Sequence, residues 1–297
     1  MQIAIDVNGR LGDEQSASVS VLDRGFLFGE GVYETLRTYS RQPFLLDRHL
    51  ARLRASAERI ALEPPLDDTA FATRIRTTMR AVDTPGERSI RLLLTRGAGE
   101  LSYDLANCPP PTVVIIVRPH PEIPADVVER GIGVVLSSVM RNHPRSLSPR
   151  IKSNNLLNNA LAMQEALRAG AGEALMCNHR GELAECAQSN FFLVRGGLAL
   201  TPPLEAGILE GVTRNFVFEV GESAGIVVRE ETLLPADLAT ADELFVTSTT
   251  REVLAVTQVD QRPVADGRPG PVTRALAEEF RRLAREMSTS TVDALDC

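Results

Sequence analysis

Residues 151–170 read IKSNNLLNNALAMQEALRAG, and they hold Lys152, the only lysine among 32 basic residues. Leu156, Ala160, Met163 and Leu167 recur at helical spacing, which predicts a helix with one apolar face that Asn154 or Asn155 can cap and Gly170 stops. Before the lysine come a β-type run, 133–138, and a Pro- and Arg-containing loop, 142–150. The local reading is strand, loop, lysine, helix. An amine at such an element end is aimed by rigid backbone. Arginine serves as well as lysine on a solvated surface, but only lysine can lose its proton and attack a carbonyl. The solitary lysine is either a chance survivor of arginine drift or one whose chemistry arginine does not copy. Free lysine, with a pKa of about 10.4, is rarely neutral, so a nucleophilic lysine needs a partly desolvated, cation-lined setting.

Outward from this stretch the chain alternates strands and helices. Towards the N-terminus, 3–7 reads as a strand closed by a hairpin signal at Asn8-Gly9, and 31–39 as a second strand with a turn over 40–43. Asp47 is the expected N-cap of a helix marked by Leu50, Leu53, Ala57 and Ile60, and another helix is expected over 68–81. Runs 89–95 and 112–117 read as covered strands. The proline-rich stretch RPHPEIPAD, 118–126, has no periodicity and marks a boundary. Towards the C-terminus, short strands are expected at 174–177, 190–194, 226–229 and 243–247, a helix from near Gly211 that ends before Gly225, another over 272–287, and a frayed end from Ser288. The fold class is α/β (α+β) in two domains: an N-terminal α/β domain over 1–119, a linker over 120–130, and a C-terminal domain over 131–297 that carries Lys152.

Composition narrows the function. A net charge of -7 argues against a nucleic-acid binder. No apolar run is long enough for a membrane span, and the first residues, MQIAIDVNGR, lack the pattern of a secretory signal. Cys108, Cys177, Cys186 and Cys297 show no paired spacing, so neither a metal site nor a disulfide framework is indicated, and the cytoplasm is the expected location. The histidines His49, His120, His143 and His179 are scattered, and surface or core roles are expected for them.

Three segments could bind a phosphate near the lysine. Arg52 can give a charge-assisted bond. Gly207–Thr213, with Leu209, Val212 and Thr213, is a glycine-bracketed turn opening a helix, whose N–H groups favour anions; Glu210 within it is expected to point outward. Ser248, Thr249 and Thr250 cluster hydroxyls at a strand end. Glu185 adds a carboxylate that could face a pyridine nitrogen, keep it protonated and make the ring an electron sink. Read singly, each is a surface arginine, a helix start, edge-strand threonines or a hairpin glutamate. Together with Lys152 they are the residue types that a pyridoxal phosphate site would need.

The order of segments resembles the class IV aminotransferases, the fold-type IV pyridoxal phosphate enzymes. The resemblance rests on DRGFLFGEGVYETLR (23–37), RHLARLRASAERI (48–60), IKSNNLLNNALAMQEA (151–166), LAECAQSNFFLV (183–194), GILEGVTRN (207–215) and DELFVTSTTREV (242–253). It implies that pyridoxal 5'-phosphate is bound to Lys152 as a Schiff base. It also implies that Arg52, Leu209, Val212, Thr213, Ser248 and Thr249 hold the phosphate, that Glu185 pairs with the ring nitrogen, and that Tyr33 stands beside the substrate. A homodimer, and an active site between a smaller N-terminal and a larger C-terminal domain, are implied as well. Within the family, Arg37 and Arg91 match positions of the branched-chain aminotransferases, whereas the Lys152 segment and the TSTT block ending in Thr250 look more like the D-amino acid group. The implied function is transamination between an amino acid, with a branched-chain L-amino acid first, and a 2-oxo acid such as 2-oxoglutarate. D-amino acid or (R)-amine transamination, and 4-amino-4-deoxychorismate lyase activity, are the alternatives.

Overall fold

The computed structural model describes residues 1–105 and 108–293, with side chains through Thr289. The chain divides into two compact units, one of 1–121, 151–155 and 288–297, the other of 122–150 and 156–287. Ala106, Asn107 and the final residues including Cys297 lie outside the described residues.

The first unit is an antiparallel sheet of six strands: β1 (Ala4–Val7), β2 (Arg10–Gly12), β3 (Gly31–Tyr39), β4 (Gln42–Pro43), β5 (Arg88–Thr95) and β6 (Thr112–Pro119), in the order β2-β1-β6-β5-β3-β4. Asn8 and Gly9 both take positive φ, the two-residue turn expected between β1 and β2. Helix α1 (Arg24–Leu27) is capped by Asp23, and α2 (Leu46–Glu58) and α3 (Asp68–Arg80) cover one face of the sheet. Val32 and Leu36 of β3 meet Leu50, Leu53 and Ala57 of α2 and Phe71 and Ile75 of α3 in the core. The expected cap of α2 is corrected. The helix starts directly from the β4 hairpin through Leu45 in the left-handed region, φ 51°, and Asp47 falls within the first turn, where its charge suits the helix dipole.

Residues 151–155 belong to this unit, not to the C-terminal part expected to carry Lys152. The reason is backbone pairing along the edge of β3: the Tyr33 amide donates to the Lys152 carbonyl at 2.9 Å and the Asn154 amide to the Gly31 carbonyl at 2.9 Å, around a Val32–Ser153 bridge. The Lys152 amide donates to Ser56 Oγ of α2 at 3.1 Å.

The second unit opens with α4 (Ala125–Arg130), so part of the expected linker is helical. Its mixed sheet contains β7 (Ile132–Leu136), β8 (Glu173–Cys177), β9 (Leu183–Cys186), β10 (Asn190–Arg195), β11 (Leu198–Thr201), β12 (Val228–Glu230), β13 (Glu243–Ser248), β14 (Glu252–Val259) and β15 (Arg262–Pro263). The order is β12-β11-β10-β13-β14-β7-β8-β9, with β15 beside β14. Alternation along the strands sends Val134 and Leu175 to one face and Val135, Ala174 and Met176 to the other. On that second face lies α5 (Leu157–Arg168). It buries Ala162 and Ala166, and leaves Leu161 and Leu167 exposed. The predicted leucine-bearing face is therefore corrected: alanines let the helix approach the strands closely. No side chain caps α5, contrary to the expectation for Asn154 or Asn155, because the Asn154 amide is bonded to Gly31 of β3 and the Asn155 side chain donates to the Gly29 carbonyl just before it.

Helix α6 (Val212–Ala224) runs from Gly211 to a left-handed Gly225, as the glycines predict. Helix α7 (Pro271–Asp293) continues past Ser288, which is buried, so the end expected to fray is helical to Asp293. Among the described residues no helix is long and apolar enough to cross a membrane.

A Cβ at Gly31 would lie 2.5 Å from Asn154 Nδ2 and 3.0 Å from the Leu94 carbonyl. Gly31→Ala is expected to force the 151–155 segment off β3 and to lower stability by about 1–3 kcal/mol, the usual cost of overpacking. An unchanged urea midpoint would contradict that docking.

Candidate active site

Strand β3 presents two chemistries because its side chains alternate. Val32, Glu34 and Leu36 turn towards α2, whereas Tyr33, Thr35 and Arg37 turn to the opposite face. On that second face Lys152 Nζ lies 4.6 Å from the Tyr33 ring centroid and Arg91 Cζ lies 4.0 Å from it, so two cations meet one aromatic ring. Arg91 is the register partner of Thr35, one position along the same face, and Arg37 stacks at 4.3 Å on Tyr39. The fold thus brings Tyr33, Arg37, Arg91 and Lys152 onto one cationic, aromatic surface.

Glu34 lies on the helix-facing side with no solvent exposure. Its Oε1 accepts from Arg52 Nε at 2.7 Å and its Oε2 from Arg52 Nη2 at 2.7 Å, while His49 Nδ1 lies 2.7 Å from Oε2. Burial alone would push the Glu34 carboxyl up, but the charge and hydrogen bonds of Arg52, then of His49, outweigh it and hold it at about 2. Burial, opposed by Glu34 and aided by Arg52 and Lys152, holds His49 below its usual value. Glu34 and His49 were not singled out from sequence. A signal existed, since an acid between Val32 and Leu36 on the apolar phase of a strand must be paired if buried.

In the second unit Glu185, on β9, is buried. Its Oε1 accepts from Arg141 Nε at 2.8 Å, and its Oε2 from the Leu209 amide at 3.0 Å and from Asn190 Nδ2 at 3.2 Å. Asn190 Nδ2 also donates to the Leu209 carbonyl at 2.9 Å, which ties the Gly207–Thr213 turn to β10. The approach is so close that a Cβ at Gly211 would lie 2.0 Å from Asn190 Oδ1. Gly211, the N-cap of α6, has no side chain to offer, which leaves the first-turn N–H groups at Val212 and Thr213 to an outside acceptor. Glu210 is exposed and faces Arg150 and Asn215, outward as expected.

Register carries the hydroxyl cluster to the same place. Asn190 pairs with Thr247, so their side chains share a face, and Ser248 follows at the strand end. Thr249 and Thr250 form the turn into β14, half-buried. Arg251 clamps that turn from behind by donating to the fully buried Glu173 at 2.6 Å. The Thr247 hydroxyl oxygen is buried and has no hydrogen-bond partner among the described residues. Arg141, Asn190, Glu173 and Arg251 were missed from sequence, since polar residues in loops and strand ends gain meaning only from pairing.

These residues fit pyridoxal phosphate. The first unit offers an amine on rigid backbone and a guanidinium with a fixed plane; the second, taken by itself, offers a glycine-capped helix start, a buried carboxylate and an unsatisfied hydroxyl. The amino-transferase class IV family matches residues 31–259. The chain belongs to that family. A putative branched-chain-amino-acid aminotransferase of Methanocaldococcus jannaschii is 37% identical over 289 residues, covering 97% of this chain and 99% of that protein. A D-alanine aminotransferase of Staphylococcus haemolyticus is 34% identical, covering 95% and 98%. The crystal structure of the branched-chain aminotransferase from Thermoproteus uzoniensis with norvaline superposes with a TM-score of 0.88 at 32% identity, covering 95% of this chain and 95% of that one. The enzyme is a fold-type IV aminotransferase, as its segment order implied.

Acid should weaken the first unit in a defined way. Unfolded, His49 takes up its proton near 6.5 and Glu34 near 4.5; folded, each does so only at lower pH. Between those values the unfolded chain binds more protons, so their stabilisation is complete above about pH 6.5 and is lost as pH falls, first through His49 and then through Glu34 towards about 2. Urea midpoints measured from pH 8 to 5 should decline for the native enzyme and decline less in His49→Asn; parallel slopes would refute the assignment.

Proposed function

We propose that the enzyme transfers the amino group of a branched-chain L-amino acid to a 2-oxo acid such as 2-oxoglutarate, with pyridoxal 5'-phosphate held by Lys152. The observation that carries this reading is the position of Lys152 Nζ over Tyr33 on backbone hydrogen-bonded to β3. When bound, pyridoxal phosphate supplies an electrophilic carbonyl carbon and a ring that takes up the electron pair left at the substrate Cα. Lys152 would supply the amine that holds the cofactor and, when freed, the base that would move the proton at the substrate Cα. Glu185 would pair with the ring nitrogen, and its carboxylate is kept in place by Arg141, Asn190 and the Leu209 amide. Arg52, with Leu209, Val212, Thr213, Ser248 and Thr249, receives the phosphate. Tyr33, Arg37, Arg91 and Thr250 receive the substrate, and the two arginines suit the carboxylates of an amino acid and of 2-oxoglutarate.

A second reading, transamination of D-amino acids, is supported by the identity with the staphylococcal D-alanine aminotransferase. We further propose a cytoplasmic homodimer. Val21, Phe26, Leu101 and Tyr103 are strongly exposed in two segments of the first unit joined by the Gly99 amide to Leu22 carbonyl bond, an apolar surface that a second copy would cover. Light scattering should give a dimer mass, and Phe26→Asp should shift it towards the monomer; a monomeric native enzyme would remove this assignment.

Purified enzyme should be yellow, and borohydride should bleach it and attach the cofactor to Lys152. Lys152→Arg should lower turnover by more than about a hundredfold, because a guanidinium does not make the link. Rapid mixing with L-leucine, D-alanine and (R)-phenylethylamine identifies the donor from which one changes the cofactor spectrum; a response to D-alanine alone would reject the branched-chain reading in favour of the second.

A further inference from the structure

Resting on the pyridoxal phosphate reading, we infer that Glu34 and His49 are positioning residues that set the plane of the Arg52 guanidinium for a phosphate ester. Glu34 occupies a core-facing position of β3 and is fully buried. A buried ion pair is a poor way to stabilise a fold, since apolar residues of similar volume often do as well or better. Its geometry serves orientation instead. A single hydrogen bond would let the guanidinium swing about it. Two parallel bonds, Nε to Oε1 and Nη2 to Oε2, both 2.7 Å, fix its plane and its roll.

His49 secures the carboxylate in turn. It lies one turn before Arg52 on the same face of α2, and its Nδ1 holds Oε2, the oxygen that also takes Arg52 Nη2. With its pKa depressed, the ring is neutral at neutral pH, so it donates through Nδ1 without adding a positive charge that would compete with Arg52 for Glu34. Arg52 is itself mostly buried and lies on the helix that receives the Lys152 amide through Ser56. The same helix thus orients the guanidinium and anchors the lysine backbone. The consequence is selectivity: this relay should matter for a cofactor that carries a phosphate and be indifferent to one that does not.

The test compares pyridoxal phosphate with pyridoxal, which lacks the phosphate, by spectral titration of the full-length apoenzyme. Native enzyme should bind the phosphate form more tightly. Glu34→Gln should weaken pyridoxal phosphate by about tenfold or more, the value of hydrogen bonds to a charged group, and leave pyridoxal within about twofold. His49→Ala should lose part of the selectivity, and His49→Asn, whose amide nitrogen takes the place of Nδ1, should restore it; this pair decides the matter if Glu34→Gln does not fold. Equal weakening of both ligands in the folded variants, or selectivity unchanged from the native enzyme, would overturn the positioning role while leaving the cofactor reading intact. Failure of the native enzyme to bind pyridoxal phosphate would overturn both.

Discussion

The hydrogen bond from the Tyr33 amide to the Lys152 carbonyl, 2.9 Å long, turns five residues of the chain into an edge partner of β3. A lysine side chain alone has four flexible bonds and no preferred place to point. Pairing its backbone with a strand removes that freedom at the root, and the alternation of β3 decides that the ammonium meets Tyr33 rather than the core. Ser56 secures the same peptide from the helix side. The lysine is therefore held between a strand and a helix whose packing is set by Val32, Leu36, Leu53 and Ala57.

Charge is handled differently on the two faces of β3. On the core side a carboxylate excluded from water is tolerable only with both oxygens bonded, and Arg52 and His49 provide those bonds. On the opposite side Arg91 and Lys152 crowd one aromatic ring, whose negative face attracts them both. That face is suited to receive anions from outside. In the second unit the logic is repeated with a different partner set: Glu185 is satisfied by Arg141, Asn190 and a backbone amide, and the α6 start beside it has only a glycine at its cap.

Much of this was legible beforehand where a residue's meaning is local. The Asn8-Gly9 hairpin, strand β3 and the glycine boundaries of α6 follow from backbone preferences that act within a few residues. Segment order was enough to identify the family. Errors arose where tertiary contact overrode local preference. The predicted leucine face of α5 gave way to Ala162 and Ala166, because close approach to β7 and β8 favours small side chains. Asn154 was drawn to β3 and Asn155 to the Gly29 carbonyl before it, instead of capping the helix.

The order of amino acids already specifies which residues have the needed chemistry: a single lysine where every other basic residue is arginine, a glycine-bracketed helix start, a threonine cluster and a strand with an acid in its apolar phase. What those residues face was settled by folding. That Glu34 holds Arg52, that Arg141 holds Glu185, and that Glu173 fixes the hydroxyl turn through Arg251 depends on side chains 18, 44 and 78 positions apart in the chain. Periodicity and turn preferences report on neighbours within about one helical turn or one strand step, whereas the partner of a buried charge is chosen by the packing that excludes water around it.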